Sequence, residues 1–453
     1  MIQSARWERL TAAEAESRQR RAAGALERRG LRSGDRVAFC VGSSVALLCA
    51  VLGALRRGII PVMLNATLLP AERDALLSDA EPALTVADGA GLAVLEDGPP
   101  VELAPVPLGR PMHYTSGTTG GPKGVWSGVL DEPSAQELFE DEADLWGFDA
   151  DDVHLVCSPM YHSVSVRFAG GTLLRGGTVV VLGHFDARVA CRALAEERPT
   201  TTFMAPTALG RLLRQQDCPP RLDSLRLLVH AGSPCPASLK KSAMARVRPG
   251  ALWEFYGATE GQFTVCPPDA WTARPGTVGR ARPGRRLQVD DDATVWCHAP
   301  PFARFEYWRD PQSTDRAWRG DAFTVGDRGR LDDDGYLFLD GRRDDLVISG
   351  GVNIYPVEVE AVLAEVPGVA EVAVFGVDDD DWGQRLCAAV VGDADDGSLR
   401  RHAAAHLAPY KRPKTYVHVP ELPRTSTGKL LRRALAEQTG QLPDAPSPIG
   451  GGS

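Results

Sequence analysis

The sequence predicts an α/β protein with a large N-terminal body of helix-flanked mixed sheets, a small β-rich layer and a small α+β C-terminal lobe. Three observations support this fold class. Short apolar strands alternate with helices over the first half of the chain, which is typical of parallel sheets covered by helices. From Gly276 to Asp340, short strands are separated by Gly, Pro and Asp turns. After Gly341 the pattern changes to roughly a hundred residues of mixed helix and strand, the size of a small domain.

The elements follow in order along the chain. The first thirty residues are predicted to form one amphipathic helix that ends at Arg29-Gly30. The next elements are strands at Val37–Val41, Ile59–Leu64 and Ala83–Ala87, with helices at Val45–Arg57 and Ala71–Asp79. Further apolar strands are predicted within residues 154–159, 178–183, 201–206 and 225–232. A helix from Pro356 to Val366 opens the C-terminal lobe, and the Pro/Gly/Ser-rich end of the chain is predicted to be disordered.

Composition excludes several classes of protein. The 453 residues carry a net charge of −9, which argues against a nucleic-acid-binding surface. The nine cysteines include no CxxC pair, so neither a zinc site nor a disulfide framework is predicted, and a reducing cytoplasm is expected. The uncharged stretch Val37–Leu55 is interrupted at Gly42-Ser43-Ser44, which favours a buried strand and helix over a membrane span.

The strongest local signal is the segment Tyr114-Thr-Ser-Gly-Thr-Thr-Gly-Gly-Pro-Lys-Gly-Val125. Clustered glycines and hydroxyl side chains form loops whose N–H and O–H groups converge on phosphate oxygens, and a lysine adds a positive charge. Pro122 precedes Lys123 and Gly124 follows it, so the segment is not a Walker A loop. It is predicted to bind phosphate groups.

This loop resembles the phosphate-binding signature of the class I adenylate-forming enzymes, which are acyl-CoA synthetases, peptide-synthetase adenylation domains and luciferases. Six further motifs resemble other motifs of the same family and occur in the same order. The residues of the middle motifs are most similar to those of bacterial fatty-acid- and aryl-CoA ligases. The other motifs are Met160-Tyr-His-Ser163, His230-Ala-Gly-Ser-Pro-Cys-Pro236, Tyr256-Gly-Ala-Thr-Glu-Gly261, Gly326-Asp327 with Gly341-Arg-Arg-Asp344, Ser349-Gly-Gly-Val-Asn-Ile-Tyr-Pro356 and Pro423-Arg-Thr-Ser-Thr-Gly-Lys429.

The resemblance implies a nucleotide site with named residues. Glu260 would bind Mg²⁺, a cation that prefers oxygen ligands, and Thr259 would contact the α-phosphate. Asp327 would accept hydrogen bonds from the ribose hydroxyls, and Arg342 would add a contact to ribose or phosphate. The remaining implied ATP- or AMP-binding residues are Thr115, Ser116, Gly117, Thr118, Thr119, Gly120, Lys123, Gly232, Ser233, Pro234, Glu254, Phe255, Tyr256, Gly257, Ala258 and Phe338.

The resemblance also implies a mobile C-terminal lobe. Lys429 would bridge the α-phosphate and the attacking carboxylate, and rotation about a hinge at Asp344 would then withdraw it. The same rotation would bring Ser349, Gly350 and Gly351 to the site, where missing side chains leave room for a pantetheine arm. The implied domains are the body with the ATP and acid pockets (1–341), the hinge (342–345), the mobile lobe (346–440) and the tail (441–453).

The acid pocket is the least determined part of the site. The resemblance implies that His162 is catalytic, where acid and pantetheine channels meet, with Tyr161 as a gate; a packed core histidine is the alternative. His230 and Gly257 are further pocket candidates. Family members usually continue this motif with apolar residues, whereas this chain has Arg167. An inward-facing Arg167 would imply a substrate with a second anionic or strongly polar group, because a buried arginine needs a partner.

The predicted function is ATP-dependent activation of a small, aromatic or polar carboxylic acid, followed by transfer of the acyl group to CoA. The cofactors would be ATP, Mg²⁺ and CoA or a carrier protein's phosphopantetheine. The alternatives are transfer to a carrier protein, adenylation of nitrite for attack by an arylamine, and a non-catalytic scaffold, which would not need Lys123, Glu260, Asp327 and Lys429. The expected partner is a small-molecule acid, with a carrier protein as a further partner in the carrier-protein alternative. No nucleic acid or membrane span is expected, and the oligomeric state would be a monomer or homodimer.

Overall fold

The protein is described by a computed structural model that covers residues 7–68, 70–115, 122–342, 347–349, 352–354, 356–379, 383–407, 409–424 and 430–439. The strands are β1 (Trp7–Thr11), β2 (Arg36–Phe39), β3 (Ile60–Met63), β4 (Leu84–Val86), β5 (Met112–Thr115), β6 (Lys123–Trp126), β7 (Val153–Val156), β8 (Thr178–Leu182), β9 (Thr201–Met204), β10 (Leu227–His230), β11 (Leu252–Glu254), β12 (Thr264–Val265), β13 (Arg280–Ala281), β14 (Arg286–Val289), β15 (Val295–His298), β16 (Glu306–Tyr307), β17 (Trp318–Arg319), β18 (Ala322–Phe323), β19 (Asp327–Leu331), β20 (Leu337–Arg342), β21 (Val347–Ser349), β22 (Val352–Ile354), β23 (Val369–Asp379), β24 (Gly383–Gly392) and β25 (Thr415–His418). The helices are α1 (Ala12–Arg28), α2 (Val45–Leu55), α3 (Pro70–Ala80), α4 (Gly89–Glu96), α5 (Glu132–Trp146), α6 (Ser163–Leu174), α7 (Ala187–Glu196), α8 (Pro206–Leu213), α9 (Ala237–Arg246), α10 (Pro268–Ala273), α11 (Pro311–Ala317), α12 (Pro356–Leu363), α13 (Asp396–His406) and α14 (Arg432–Thr439).

Two six-stranded sheets organise the body. The first has the strand order β16-β6-β5-β3-β2-β4, and the second has the order β1-β8-β7-β9-β10-β11. Strands β7 to β11 run parallel, as the apolar strand–helix alternation predicts, and only the edge strand β1 is antiparallel to its neighbour in that sheet. The α/β fold class is therefore confirmed.

The second sheet is buried on both faces. Val179 and Val181 of β8 belong to a core that also contains residues of α1, α2, α6 and the first sheet. Val180 and Leu182 of the same strand pack on the other side, with residues of α7, α8 and α9. Because successive strand side chains point to opposite faces, the run Thr178–Leu182 supplies both cores.

The predicted N-terminal helix is wrong in its first residues. Trp7–Thr11 is the strand β1, which pairs antiparallel with β8 from Trp7–Leu182 to Thr11–Thr178. Helix α1 begins only at Ala12, after a capping box in which Thr11 accepts from the backbone N–H of Glu14 and the Glu14 carboxylate accepts from that of Thr11. The long-range strand pairing determines this segment, although the Thr11/Glu14 spacing marks the true helix start.

The β-rich layer follows the second sheet. Strands β14, β15, β18 and β17 form one antiparallel sheet, and β12 pairs with β13. This part of the chain also contains the helix α11 at Pro311–Ala317, which the sequence did not predict. Helix α11 follows β16, a short strand that leaves this region and joins the edge of the first sheet beside β6.

The chain divides into two compact units. The first contains residues up to Asp290 together with Val295–Val325 and Leu331–Phe338. The second contains Asp291–Thr294, Gly326–Arg330 and the chain from Leu339 onward. Asp327, at the start of β19, thus lies in the second unit.

The second unit has its own core. Strands β22, β21, β24 and β23 form a sheet, β25 adds to β24, and Val359, Leu363, Val374 and Leu399 are buried in this core. Among the described residues of the whole chain, no helix is both long enough and apolar enough to cross a membrane.

Candidate active site

The carboxyl ends of the parallel strands β7, β10 and β11 carry the predicted gate and adenine-side residues. His162 follows β7 and is the N-cap of α6, His230 is the last residue of β10, and Glu254 is the last residue of β11. His230 and Glu254 are register partners in the sheet. Ligands of open α/β sheets bind outside this edge, so the fold brings these motifs to one place.

A buried ion pair lies next to this edge of the sheet. Lys240 of α9 is 1% exposed, and its ammonium group donates a hydrogen bond to Glu254 Oε2. Burial raises the pKa of the Glu254 carboxyl, and the Lys240 charge acts against this increase. His230 is fully buried beside the pair, with Nδ1 3.9 Å from Glu254 Oε1, and burial together with the nearby Lys240 charge lowers its pKa to about 3. His230 is therefore a buried, neutral residue near neutral pH rather than a proton carrier.

A tight turn presents the predicted magnesium ligand. Gly257 bridges Gln262, and the backbone N–H of Ala258 donates to the Gly261 carbonyl at 2.9 Å. A Cβ atom at position 257 would lie 2.8 Å from that carbonyl oxygen, so the turn requires glycine there. Glu260 stands at the tip of this turn and is 5% exposed. The preceding adenine-side loop contains Gly232 with φ of +93°, a conformation that favours glycine.

The predicted phosphate loop connects two antiparallel strands of the first sheet. Thr115 ends β5 and Lys123 begins β6, and the two residues are register partners. The Lys123 ammonium donates a 2.7 Å hydrogen bond to Ser313 Oγ. It also lies 5.2 Å from the centre of the Tyr307 ring.

Tyr307 connects the phosphate-loop lysine with Glu260. Strand β16 pairs with β6, so that Tyr307 stands opposite Val125, and its hydroxyl donates a 2.8 Å hydrogen bond to Glu260 Oε1. The arrangement places a lysine, a threonine hydroxyl and a carboxylate around one region. Such groups fit a polyphosphate with a divalent cation. Among the residues that the structure describes, no group of three metal-ligating side chains occurs, and Mg²⁺ is commonly held by one or two carboxylates plus phosphate oxygens.

The gate residues pack closely on one another. The rings of Tyr161 and His162 are 4.5 Å apart, and burial lowers the pKa of His162 to about 4. The Tyr161 carbonyl accepts a 2.8 Å hydrogen bond from Nδ1 of His113. Because that carbonyl can only accept, His113 is protonated on Nδ1 and carries a bare acceptor at Nε2.

A cavity of about 150 Å³ lies behind the Glu260 turn. Thr259 contributes to its wall on the side of that turn, and His113 and Arg167 contribute elsewhere. The titratable side chains that line it are Arg110, His113, Asp141, Glu142, Arg167, Arg282 and Arg285. We call this space the arginine cavity. The sequence left open whether Arg167 faces inward, and in the structure it lines this cavity.

Ion pairs order one wall of the arginine cavity. Arg282 is 2% exposed and donates to Glu142 Oε1 at 2.7 Å and to Asp141 Oδ2 at 2.8 Å. Arg167 Nε lies 3.2 Å from Glu142 Oε2. Burial alone would raise the pKa of Glu142, but Arg167 and Arg282 outweigh it and hold the pKa at about 2. Glu142 is therefore a permanent anion at neutral pH.

For several predicted site residues, the structure gives only the position of the backbone or the unit to which they belong. Only the backbone of Arg342 is described, as the end of β20, and Ser349 ends β21 in the second unit. Phe338 ends the first unit. The predicted site residues that lie outside the described part of the chain are Ser116, Gly117, Thr118, Thr119, Gly120, Asp344, Gly350, Gly351 and Lys429.

Residues 1–106 and 111–297 match the AMP-binding enzyme family, and residues 358–429 match the AMP-binding enzyme C-terminal domain. The chain belongs to the AMP-binding enzymes. It is thus a member of the class I adenylate-forming superfamily and an ATP-dependent, AMP-forming ligase of the acyl-CoA synthetase type, which confirms the family and enzyme class inferred from the motifs.

Three relatives illustrate the similarity of this AMP-binding enzyme to known proteins. A long-chain-fatty-acid–CoA ligase of Mycobacterium tuberculosis is 32% identical over 95% of this chain and 93% of the relative. A 2-succinylbenzoate–CoA ligase of Bacillus licheniformis is 31% identical over 92% of both chains. The crystal structure of ATP-bound MatB from Rhodopseudomonas palustris superposes with a TM-score of 0.83, at 29% identity over 97% of both chains.

Sequence reasoning missed several residues of this AMP-binding enzyme that the fold brings into the site. Tyr307 lies outside every motif, and its position depends on the pairing of β16 with β6. Arg110 lies two residues before β5, the strand that leads into the phosphate loop, and this nearness in sequence could have marked it as a site residue. Arg282 and Glu142 are 140 residues apart, so no local pattern indicates their contact.

Proposed function

We propose that this enzyme activates a small aromatic or polar carboxylic acid as its acyl-adenylate and transfers the acyl group to CoA. The observation that carries the proposal is the junction at Tyr307. This residue contacts both Lys123 and Glu260, and the arginine cavity begins one residue away at Thr259. The proposed phosphate-binding region and the cavity proposed for the acid are therefore adjacent.

The proposed chemistry follows from the charges involved. A carboxylate and the α-phosphate of ATP repel one another, so the protein must supply positive charge and oriented donors where the negative charge develops. Lys123 and the Thr115 hydroxyl would hold the departing phosphates, and Thr259 would contact the α-phosphate. Glu260 would hold Mg²⁺, which when bound would neutralise charge on the phosphate oxygens. Asp327 and Arg342 are proposed ribose contacts, and Lys429 is proposed to contact the reacting groups.

The transfer half-reaction rests on the resemblance. We propose that the lobe rotates about Asp344 and that Ser349, Gly350 and Gly351 line the thiol channel. His162 and Tyr161 would stand where that channel meets the acid. Because burial lowers the pKa of His162 to about 4, its imidazole is neutral near neutral pH and can serve as an acceptor.

The size of the arginine cavity supports a compact acid. A cavity near 150 Å³ holds about one six-membered ring, so a long alkyl chain would not fit inside it. This separates the chain from its relative that acts on long-chain fatty acids and brings it nearer to the relative that acts on 2-succinylbenzoate. A cytoplasmic location would supply ATP and CoA.

The experiment is pyrophosphate release with a panel of acids, with and without CoA and nitrite. We expect release that depends on a small acid, and thioester formation when CoA is added. Glu260→Gln should abolish release, whereas Glu306→Gln, which alters an exposed glutamate on β16, should retain it. Activity with nitrite in place of an acid would favour the diazo-forming alternative, and an acyl-adenylate that CoA cannot consume would favour a carrier protein.

A further inference from the structure

The arginine cavity carries more positive charge than one carboxylate requires. Four guanidinium groups line it, from Arg110, Arg167, Arg282 and Arg285, against the carboxylates of Asp141 and Glu142. His113 adds no charge near neutral pH, because burial lowers its pKa to about 4. Glu260 lies beside this wall and its carboxylate attracts Arg110, but in the proposed function that charge is assigned to Mg²⁺. The side chains that line the cavity, counted by themselves, have a surplus of two positive charges.

These charges form a row that begins and ends with arginine. Arg285 Nη2 donates to Asp141 Oδ2 at 3.1 Å, Asp141 pairs with Arg282, Arg282 pairs with Glu142, and Glu142 lies beside Arg167. Arg282, at the centre, directs both terminal nitrogens at protein oxygens. The arginines at the two ends each form an ion pair with one carboxylate, Arg285 with Asp141 and Arg167 with Glu142.

Arg167 retains the most hydrogen-bonding capacity. Beyond the approach to Glu142, its guanidinium makes a long 3.4 Å contact from Nη2 to Gln262 Oε1. A guanidinium has five N–H donors, so the remaining donors of Arg167 are available to a ligand in the cavity. Its Cζ also lies 5.3 Å from the centre of the Phe255 ring, a cation–π contact.

Arg110 adds to the same positive field, and the carboxylates of Glu142 and Glu260 act on it only electrostatically. It donates to the backbone carbonyls of Glu260, Ala303 and Arg304 at 3.2–3.3 Å. Burial, followed by repulsion from Arg167 and Arg285, lowers the pKa of Arg110 to about 10. The charges of Arg167 and Arg285 thus act on Arg110, and an anion placed between these groups would relieve that repulsion.

We propose that the acid activated by this enzyme carries a second anionic group, held in the arginine cavity by Arg167 with the support of Arg110 and Arg285. The inference rests on the proposed function and specifies its substrate class as compact dianions. The cavity admits about one ring or a short chain, so the two anionic groups are separated by no more than that.

Matched pairs of acids test this proposal. Benzene-1,2-, 1,3- and 1,4-dicarboxylate, succinate and glutarate are each compared with the corresponding half-amide, which has nearly the same shape but lacks the second charge. The readout is kcat/KM for pyrophosphate release. We expect at least one dicarboxylate to exceed its half-amide by roughly tenfold to a hundredfold, the value of one charge-assisted hydrogen bond.

Substitutions assign the effect to Arg167. Arg167→Leu should remove the discrimination between the pair and improve the use of benzoate, whereas Arg167→Lys should keep part of it. Arg175→Leu, which breaks the ion pair with Glu140 at the end of the same helix, is the matched control and should keep the full discrimination. Calorimetry of dicarboxylate binding to Arg167→Gln repeats the test without turnover. This variant replaces Arg167→Leu if the leucine variant is poorly soluble.

The outcomes separate the two proposals. Half-amides used as well as dicarboxylates, or discrimination that survives in Arg167→Leu, would overturn the dianion inference and leave the proposed function intact. The same holds if only monoanionic acids release pyrophosphate, since the surplus charge would then serve the reacting carboxylate. Failure of every acid to release pyrophosphate would overturn both.

Discussion

The Tyr307 hydroxyl donates a 2.8 Å hydrogen bond to Glu260 Oε1. The bond fixes one carboxylate oxygen of the proposed magnesium ligand. It also ties a turn after the second sheet to β16 at the edge of the first sheet. We therefore expect Tyr307 to position Glu260 rather than to take part in the chemistry itself.

Tyr307→Phe should raise the Mg²⁺ concentration needed for half-maximal pyrophosphate release by about two- to tenfold. One hydrogen bond contributes roughly 0.5–1.5 kcal/mol, which corresponds to this range. Turnover at saturating Mg²⁺ should recover, because Glu260 keeps its charge. Tyr336→Phe, which alters a tyrosine that packs against Arg274 and Arg280, is the control and should leave the Mg²⁺ dependence unchanged. A loss of turnover that Mg²⁺ does not restore would show that Tyr307 acts on the reaction directly.

Lys429→Ala should abolish adenylate formation while leaving acyl transfer from a preformed acyl-adenylate largely intact. The proposed contact with the reacting carboxylate and α-phosphate exists only in the first half-reaction, so the first rate should fall by orders of magnitude. The two half-reactions are measured separately, by pyrophosphate release and by thioester formation from synthetic adenylate. Lys414→Ala, also in the C-terminal lobe, is the matched control. Equal losses in both steps would contradict the role given to Lys429.

Local patterns were sufficient for most of the body. The strands of the second sheet are buried on both faces, so they appear in the sequence as apolar runs such as Thr178–Leu182, and their alternation with helices indicates parallel pairing. The prediction for Trp7–Thr11 was wrong because this segment forms a strand only by pairing with β8, which lies more than 160 residues away. Pairing over such a distance leaves no periodic signal in the segment itself.

The nucleotide-site candidates were predictable because motif residues are neighbours in sequence, as in the turn Gly257–Gln262. The lining of the arginine cavity was not predictable from such motifs, and Arg167 is its one residue that the sequence indicated as a pocket candidate. Its wall depends on α5, which supplies Asp141 and Glu142, meeting Arg282 from the loop that follows β13. Charge complementarity over such separations becomes visible only after folding.

Acid should destabilise the protein through histidines that are buried in the neutral form. Burial lowers the pKa of His113, His154 and His162 to about 4, below the ordinary value of 6.5. The unfolded chain therefore takes up protons between about pH 6.5 and pH 4 that the folded chain does not. In that window the free energy of unfolding should fall as pH falls, by up to about 1.4 kcal/mol per pH unit for each such histidine, and this loss should level off below pH 4.

His154 offers a test of one such group. It is 1% exposed, contacts Thr201 Oγ1 at 2.9 Å and stacks on Phe168. In urea denaturation at a series of pH values, His154→Gln should reduce the slope of stability against pH by close to one proton, whatever its effect on stability itself. His184→Gln, at an exposed histidine, is the control. An unchanged slope for His154→Gln would mean that His154 binds its proton equally in both states.

Lys240→Met should lower the free energy of unfolding by about 3–5 kcal/mol at neutral pH. The substitution fills similar space but leaves the Glu254 carboxylate buried without its cation, and Lys240 itself is 1% exposed. Lys241→Met changes the next residue of α9, which is exposed, and should alter stability by less than about 0.5 kcal/mol. Urea denaturation followed by tryptophan fluorescence measures both variants, and Trp271 reports locally, since Lys240 Nζ lies 4.8 Å from its ring centre.

Two further measurements identify the unpaired Glu254 charge as the cause of this loss. Burial already raises the pKa of Glu254, so the carboxyl of Lys240→Met should take up a proton on mild acidification, and the loss of stability should then shrink. The double variant Lys240→Met/Glu254→Gln should regain part of the stability at neutral pH, because no buried charge remains. A loss that is independent of pH and persists in the double variant would instead mean that Lys240 contributes through packing of its methylene chain.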